Sequence, residues 1–536
     1  MYKFYTSLRL CTYSKHFSFR QLSPFHSSAP RSFCLSSTLK YNSSRPSDSL
    51  HSFKPLSHNK AAFLVNSKNV EILSTPVDFY EKLKHIILNA KTRVVLSSLY
   101  IGTSEVELIK TIHIALSNNK QLQVTILVDY LRGTRAEKNG KSTAYMLNKL
   151  IKKFGSQRIK ALLYHTPDLS GLKKKIYPPR LNETVGVMHI KAYMADDNVI
   201  LSGANLSHDY FTNRQDRYFL FSNTKEMCDY IADLVCSISK ISYSITEYIK
   251  NKKTLKNKIQ CSLTADCPSP HKRPIPFRVY ANQVMTKFME DWALKARDSK
   301  TSDKFFDLKN KPQLDALEYD SMVIPSLQMG PLGIYEDQEH TEALFQILNR
   351  HSSLMDNCRT DITSAYFNFA DLHTNAILNS NGVFNVLIAS PEANGFYNAS
   401  GISKYIPHAY TMFEKQFLAK LENKKRLEKV KIFEYTRKDW TYHGKGMWCF
   451  MDSSEPALTI LGSSNLGERS LKKDLEAQFT IITKSENFQQ ELHANNRENY
   501  EGWQVLRVYK SGGNSFDGYR HWDSIAKFNL KIRCCE

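Results

Sequence analysis

The chain has 536 residues, which exceeds the size at which a single hydrophobic core keeps growing, and two domains are therefore predicted. A hydrophobic content of 42% excludes an intrinsically disordered protein, and the absence of Cys-x-x-Cys pairs argues against zinc-ribbon and zinc-finger classes. The net charge of +21 favours polyanionic partners, namely nucleic acid, phosphorylated metabolites or anionic lipid surfaces.

The first 57 residues differ in composition from the rest of the chain. From Met1 to Ser47 there is no Asp or Glu, whereas Lys and Arg recur among many serines. This composition is typical of a mitochondrial transit peptide, and a disordered basic tail is the alternative. We predict that residues 1–57 form a disordered leader that is removed, and that the protein is mitochondrial.

Residues 58–250 are predicted to form a first domain in which strands and helices alternate. The predicted strands are Ala61–Val65, Arg93–Ile101 and Val124–Tyr130, because their apolar runs have strand length. Apolar residues at helical spacing predict helices at Val77–Ala90 and Glu105–Asn118.

Residues 251–310 are predicted to be a basic linker or insertion. The stretch Lys250–Pro276 is polar and basic and contains four prolines, which suits a surface excursion. A second basic run, Lys173–Lys175, precedes Pro178 and Pro179 and predicts a loop close to the first motif described below.

Residues 311–536 are predicted to form a second domain that repeats the order of elements of the first. The predicted strands and helices are Met322–Pro325, Thr341–Leu348, Asp361–Phe369, Leu372–Asn379, Val383–Ala389 and Tyr410–Lys429. Both halves then end in a His-x-Lys tripeptide, which favours an internal duplication. The predicted class is α/β, with two duplicated domains, each a central mixed sheet flanked by helices.

The two tripeptides share the spacing of the residues that follow them. His189 and Lys191 are followed by Asp196 and Asn205, and His443 and Lys445 are followed by Asn465. On a strand, residues i and i+2 point to the same face, so each His and Lys would project into one cleft. Following strands at Val199–Leu201 and Leu458–Leu461 would bring each asparagine back beside them.

An acidic residue follows each asparagine after eleven residues, as Asp216 in the first half and Glu476 in the second. Such a carboxylate can hold an imidazole N–H and so fix which ring nitrogen is free to attack. Lysine and asparagine donate to phosphate oxygens, and Ser463 lies in the Gly/Ser cluster before Asn465. The pattern predicts phosphoryl transfer at one site shared by both halves.

The pattern resembles that of the phospholipase D superfamily. The first copy fits through Asp196, whereas the second has Phe450 at the corresponding position and its nearest acid, Asp452, two residues later. The strings LSSLYIGTSE, GANLSHDYFTNRQDRY, VIPSLQMGPLGI and YHGKGMWCF are similar to those of mitochondrial phosphatidylglycerophosphate synthases within this superfamily. The resemblance extends from about Ala61 onward and implies two phospholipase D-like domains with the active site at their interface.

The resemblance implies a phosphatidyltransferase that moves the phosphatidyl group of CDP-diacylglycerol to glycerol 3-phosphate through a phosphohistidine. It makes His189 the nucleophile and His443 the acid and base, with Lys191, Lys445 and Asp196 in the catalytic set. Asn205, Asn465, Ser463, Asp216 and Glu476 would bind phosphate or orient the histidines. No cofactor and no metal site are expected, and stimulation by a divalent cation is left open.

The expected partners are the two substrates and the anionic mitochondrial membrane, with the protein peripheral on the matrix side of the inner membrane. Nucleic acid is not expected. The alternatives with the same fold are a phosphatidylserine synthase, a phospholipase D and an endonuclease, and a catalytically inactive lipid-binding scaffold is the non-enzymatic alternative. The enzymatic alternatives differ in the acceptor of the transferred group, which the residues alone do not identify.

Overall fold

The computed structural model describes residues 50–137, 140–177, 182–250, 257–307, 318–354, 358–397, 405–451, 453–500 and 503–505. Its strands in the first half are β1 (Phe63–Val65), β2 (Val70–Leu73), β3 (Arg93–Ser97), β4 (Gln123–Asp129), β5 (Ile159–Tyr164), β6 (Ala192–Ala195), β7 (Asn198–Ser202), β8 (Arg214–Gln215), β9 (Tyr218–Phe221), β10 (Tyr243–Lys250) and β11 (Asn257–Ser262). Those of the second half are β12 (Ser321–Met329), β13 (Ile334–Tyr335), β14 (Arg359–Ser364), β15 (Val383–Ala389), β16 (Val430–Tyr435), β17 (Thr441–Tyr442), β18 (Lys445–Phe450), β19 (Pro456–Gly462), β20 (Leu475–Thr483) and β21 (Trp503–Val505).

Helices connect and cover these strands. The α-helices are Pro76–Asn89, Val106–Asn118, Tyr130–Thr134, Thr143–Phe154, Gly171–Ile176, Asp209–Thr212, Lys225–Ser239, Pro274–Asp298, Thr301–Phe306, Glu336–Ser352, Asp371–Asn379, Ile406–Asn423, Glu468–Lys472 and Glu486–Tyr500. Short 3-10 helices lie at Lys54–Ser57, Ser67–Asn69 and Gly330–Leu332. No helix in these described ranges is long and apolar enough to span a bilayer.

The fold contains two large mixed sheets with a shared strand order. The seven strands β5-β4-β3-β6-β7-β9-β2 of the first sheet correspond to β16-β15-β14-β18-β19-β20-β12 of the second. The first sheet runs β11-β10-β5-β4-β3-β6-β7-β9-β2, and the second runs β1-β12-β20-β19-β18-β14-β15-β16-β21. Strands β3, β4 and β5 are parallel, as are β14, β15 and β16, and the pairs from β3 to β2 and from β14 to β12 are antiparallel. The predicted α/β class with mixed sheets and flanking helices is confirmed.

The two sheets share a hydrophobic core. One cluster of buried side chains contains Met194 and Phe219 from the first sheet and Trp448 and Phe479 from the second. The guanidinium of Arg217 crosses this boundary, donating to the Ile460 carbonyl at 2.6 Å and to the Thr459 hydroxyl at 2.7 Å. The halves are therefore fixed to each other by packing and by buried hydrogen bonds.

The predicted leader boundary at residue 57 lies inside the folded body. Phe53 and Leu56 are buried and pack with Phe305. Strand β1 then pairs with β12 of the second sheet, so residues 63–65 belong to the second sheet although they precede the first domain's strands. Residues 1–49 lie outside the described part of the chain, and removal of a leader stays a prediction.

The segment predicted as a linker, residues 251–310, contains a 25-residue helix, Pro274–Asp298. Its buried residues are Phe277, Ala281, Met285, Phe288 and Trp292, which recur at helical spacing and enter the shared core. Pro274 and Pro276 lie in the first turn, where proline is tolerated because those N–H groups have no intrahelical partner. The prediction of a linker or insertion did not foresee this helix, because it gave the prolines and charges more weight than the helical spacing of the apolar residues.

Candidate active site

His189 lies just before β6, in a segment that the second half holds in place. Its backbone N–H donates to the Leu475 carbonyl at 2.8 Å. The two preceding amides donate to buried carboxylates, that of Val187 to Asp474 at 2.9 Å and that of Met188 to Asp129 at 3.0 Å. Every backbone N–H of this approach is thus engaged, which fixes the position of the imidazole.

His443 has the mirrored arrangement. Strand β17 pairs with β8 in parallel, and the His443 N–H donates to the Gln215 carbonyl at 2.7 Å. Leu475 and Gln215 each immediately precede a carboxylate residue, Glu476 and Asp216. The backbone of each histidine is therefore hydrogen-bonded to the opposite half, next to that half's acid.

This exchange pairs each histidine with the carboxylate of the other half. His189 Nδ1 is 2.9 Å and 3.1 Å from the two oxygens of Glu476, and His443 Nδ1 is 2.7 Å from Asp216 Oδ2. An ionised carboxylate only accepts hydrogen bonds, so Nδ1 carries the proton in both rings. The nitrogen left unprotonated in each neutral imidazole is Nε2, as nucleophilic or basic chemistry requires.

Two buried lysines, Lys191 and Lys445, belong to the same cluster. Lys445 Nζ lies 2.8 Å from His443 Nδ1 and 3.6 Å from Asp216, and it donates to the His443 carbonyl at 2.7 Å. Because Nδ1 already donates to Asp216, it cannot accept from Lys445, and the acceptor of the Lys445 hydrogen bond is the His443 carbonyl. Lys191 Nζ is buried with no hydrogen-bond partner among the described residues, so it is available for an anionic ligand.

The small residue Gly203 makes room for this cluster. A Cβ at this position would lie 2.6 Å from Lys445 Nζ and 2.8 Å from Asp216 Oδ1. Both distances are shorter than van der Waals contact, so the lysine and the carboxylate occupy the space that a side chain would need.

The two asparagines are positioned as the sequence predicted, each just after a strand that leads back into the cleft. Asn205 follows β7 and donates to the Tyr210 hydroxyl at 3.2 Å, and Asn465 follows β19. The Oδ1 atoms of both side chains are buried without a partner among the described residues. Since amide O and N are assigned from their neighbours, each unpaired amide end is a group that can bind an incoming phosphate.

Serine side chains support the Glu476 side of the site. Ser470 Oγ donates to Glu476 Oε1 at 2.9 Å and accepts from the Asn465 N–H at 3.1 Å. Ser463 Oγ accepts from the Ala477 N–H at 3.1 Å. Ser463 thus orients the strand beside Glu476, and Ser470, which the sequence left open between capping and phosphate binding, holds the carboxylate.

Burial and neighbouring charges set the protonation states in this cluster. Burial lowers the pKa of His189 despite the opposing charge of Glu476, and burial with the Lys445 and Arg214 charges holds the pKa of His443 well below its usual range. Burial also lowers the pKa of Lys191 and of Lys445. Both imidazoles are therefore neutral at pH 7, which keeps Nε2 available.

Asp196 is not part of this cluster. It sits at the far end of β6, about 16 Å along the strand from Lys191, with a positive φ of 50°. Its carboxylate accepts from the N–H groups of Lys91, Thr92 and Arg93 at 2.6, 2.8 and 3.0 Å. These hydrogen bonds outweigh partial burial and lower its pKa. Asp196 is a structural residue of a strand end, which corrects its placement among the catalytic residues.

In the second half, the strand end that corresponds to Asp196 is held by different residues. Phe450 is buried, and the Arg359 guanidinium lies 3.7 Å from its ring centroid. A stacked cation and ring replace the carboxylate as the anchor of that strand end. Asp452 lies outside the described residues.

Three residues of the site were not singled out from the sequence. Tyr210 OH is 3.2 Å from His443 Nε2, and Tyr366 packs its ring edge-on to His443 with a centroid separation of 5.9 Å. Asp129 holds the backbone beside His189, and burial raises its pKa to about 7. Asp129 lies one residue before the end of the predicted strand Val124–Tyr130, and an acid at the end of a strand was the one available signal for it. The two tyrosines had no such signal.

In the described ranges, no group of three or more His, Cys, Asp or Glu side chains is arranged to hold a metal ion. The expectation that the reaction needs no cofactor stays a prediction.

Comparison with known proteins identifies close relatives. The chain is 36% identical over 454 residues to a probable CDP-diacylglycerol–glycerol-3-phosphate 3-phosphatidyltransferase of Dictyostelium discoideum, covering 84% of this chain and 74% of that protein. It is 34% identical over 472 residues to the mitochondrial enzyme of that name from Homo sapiens, covering 84% and 81%. It is 37% identical over 450 residues to the Schizosaccharomyces pombe enzyme, covering 79% and 87%.

Among solved structures, phosphatidylserine synthase of Haemophilus influenzae superposes with a TM-score of 0.61 at 18% identity, covering 91% of this chain and 98% of that one. This likeness shows a common fold. No protein-family model matches the chain. The identity and coverage of the relatives, together with the two crossed histidine sites, show that the chain belongs to the family of CDP-diacylglycerol–glycerol-3-phosphate 3-phosphatidyltransferases.

Proposed function

We propose that the protein transfers the phosphatidyl group of CDP-diacylglycerol to sn-glycerol 3-phosphate, giving phosphatidylglycerophosphate and CMP. The observation that carries this proposal is the pair of neutral, buried imidazoles whose Nδ1 atoms are held by Glu476 and Asp216. Two histidines set in this way can act as a nucleophile and as an acid–base catalyst on one phosphorus atom. The names of the relatives supply the two substrates.

In the first step, Nε2 of His189 attacks the phosphorus that bears the diacylglycerol. An N–P bond forms and the bond from phosphorus to the CMP oxygen breaks. His443, which takes up a proton from water at Nε2 when the anionic substrate binds, gives that proton to departing CMP. Lys191 and the two asparagines bind the non-bridging oxygens as negative charge redistributes onto them. The unpaired Nζ of Lys191 and the unpaired amide ends support this assignment.

In the second step, a hydroxyl of glycerol 3-phosphate attacks the phosphatidyl-histidine. The new O–P bond forms, the N–P bond breaks, and His443 takes the hydroxyl proton. His189 is the better candidate for the covalent role because no hydrogen bond among the described residues engages its Nε2. The Nε2 of His443, by contrast, lies 3.2 Å from the Tyr210 hydroxyl.

The proposed location is mitochondrial, with the protein peripheral on the matrix side of the inner membrane and its basic surface against anionic lipid. Relatives from Gallus gallus and Homo sapiens carry the word mitochondrial in their names. Nucleic acid is not a proposed partner.

The decisive experiment supplies purified protein with CDP-diacylglycerol and compares glycerol 3-phosphate, serine and water as acceptors. CMP release that depends on glycerol 3-phosphate, with label from the acceptor in a lipid product, is expected. Equal release with serine would indicate a phosphatidylserine synthase, and acceptor-independent release would indicate a phospholipase. His189→Ala abolishes turnover under this proposal, whereas His58→Ala, which changes the His of an unrelated His-x-Lys tripeptide, is the matched control.

A further inference from the structure

An apolar surface flanked by basic residues lies beside the active site on the first half. Leu172 and Ile176, which are 70% and 63% exposed, share one face of the helix Gly171–Ile176 at a spacing of four residues. Ile275 and Val279, which are 74% and 56% exposed, repeat this spacing at the start of the helix Pro274–Asp298. We call these four side chains and their basic neighbours the apolar–basic surface.

Specific contacts link each helix, or the segment before it, to the other. Arg278 on the long helix pairs with Asp168, which lies three residues before the short helix. Lys174 Nζ on the short helix is 3.3 Å from His165 Nε2. The ring centroids of His165 and His271 are 5.5 Å apart. The two pairs of exposed aliphatic side chains therefore lie on neighbouring segments of the structure.

The charge of this surface is strongly positive. Lys173, Lys272 and Arg273 are exposed beside the aliphatic residues. In residues 168–177 and 257–287 the acids are Asp168, which Arg278 neutralises, and Asp266. Exposed aliphatic residues among unopposed cations match the interface of a bilayer that contains anionic phospholipid.

The surface is also close to the nucleophilic histidine. Its short helix follows β5, whose carboxyl end lies beside that of β4. At the end of β4, Asp129 binds the Met188 amide next to His189, and the next residue, Tyr130, packs on His165 with ring centroids 5.2 Å apart. A series of direct contacts therefore leads from His165, which lies before the short helix, through Tyr130 and Asp129 to the backbone beside His189.

We propose that this apolar–basic surface docks the protein on an anionic bilayer and so presents the catalytic cleft to a lipid substrate that stays in the membrane. The aliphatic side chains enter the boundary between headgroups and acyl chains, and the cations bind lipid phosphates. The inference rests on the proposed function, because a diacylglycerol-bearing substrate explains why a bilayer should meet this edge of the site.

The test measures co-sedimentation of the full chain with phosphatidylcholine vesicles that contain cardiolipin, in the absence of CDP-diacylglycerol. Leu172→Asp combined with Ile275→Asp should weaken binding by roughly tenfold or more, because each side chain loses its apolar burial. Lys173→Ala combined with Lys272→Ala should weaken it by about 25-fold, at about fivefold per cation near an anionic surface. Cardiolipin-free vesicles should bind the wild-type chain weakly.

Matched controls lie on the helix Val106–Asn118. Val106 is 67% exposed and Lys110 is exposed four residues later, so Val106→Asp and Lys110→Ala test the same chemistry elsewhere on the surface. Both control variants should bind like the wild-type chain. Wild-type binding by both surface variants, or equal losses in the controls, would overturn the proposal.

A second measurement separates docking from catalysis. Turnover of a water-soluble short-chain CDP-diacylglycerol should be unchanged in the surface variants, and turnover of a long-chain substrate in vesicles should fall in parallel with binding. Equal loss on both substrates would overturn the docking role. A wild-type chain that binds vesicles and turns over neither substrate would instead refute the proposed function.

Discussion

Replacing Glu476 by Gln tests whether a carboxylate from the second half activates the histidine of the first. The Glu476 side chain is fully buried. It accepts hydrogen bonds from His189 Nδ1 at 2.9 Å and from Ser470 Oγ at 2.9 Å. Gln has the same shape and retains one acceptor oxygen, so the substitution removes the charge and little else. The hydrogen bond to His189 then becomes a neutral one.

The magnitude follows from the difference between the two kinds of hydrogen bond. A bond to a charged group contributes about 1.5–3 kcal/mol and a neutral one about 0.5–1.5 kcal/mol, so about 1–2 kcal/mol is lost. If this energy stabilises the developing imidazolium in the transition state, the first step slows by about 5- to 30-fold. The free energy of unfolding should not fall, because the substitution removes both the cost of burying the Glu476 charge and the favourable interaction of that charge with His189.

The assay is single-turnover CMP release without acceptor, with the protein-bound phosphatidyl label measured in parallel. Glu476 raises the pKa of His189 against the lowering effect of burial, so its loss lowers that pKa further. The acid limb of kcat/KM should therefore move to lower pH. A purely structural role for Glu476 would not produce this shift.

Asp361→Asn is the matched control, since Asp361 is a buried carboxylate of the same sheet that accepts from Asn385 at 2.8 Å and pairs with Arg359 at 3.1 Å, away from both histidines of the site. It should leave the rate of the first step and the pH profile unchanged. The reasoning is refuted if Glu476→Gln retains the wild-type rate and acid limb, or if both variants slow the step equally.

Three further predictions concern the rest of the fold. Gly203→Ala should lower kcat at least tenfold because the new Cβ displaces Lys445, whereas Gly382→Ala, with no contact under 3.4 Å, should be neutral in the same assay. Asp196→Asn should lower the free energy of unfolding by about 1–3 kcal/mol in urea titrations and leave kcat within about twofold, and a loss of activity without destabilisation would contradict its structural role. Burial raises the pKa of Glu414 to about 8 from 4.5 in the unfolded chain, so the wild-type protein loses stability as pH rises across that window. Glu414→Gln should therefore be more stable than the wild type by up to about 4–5 kcal/mol at pH 9 and equal to it at pH 4, as measured by denaturant unfolding.

Local patterns were sufficient for much of the fold. The predicted strand Val383–Ala389 has the bounds that the structure gives it, and the helices predicted at Val77–Ala90 and Leu372–Asn379 are each displaced by one residue or less at either end. These segments succeed because strand and helix periodicities are properties of neighbouring residues. The helix Pro274–Asp298 was not predicted, because its prolines and charges were given more weight than its apolar residues, which are spread over many turns.

The sequence by itself predicted eight members of the candidate site, namely two histidines, two lysines, two asparagines and two acids at equal spacings, and it missed Tyr210, Tyr366 and Asp129. It also showed that the two motifs differ at one position, which is Asp196 in the first half and Phe450 in the second. Only the tertiary structure decided which acid serves which histidine, and it crossed them, with Glu476 on His189 and Asp216 on His443. Spacing along the chain reports what lies on one element, whereas these contacts join residues 287 and 227 positions apart and depend on how the two sheets pack.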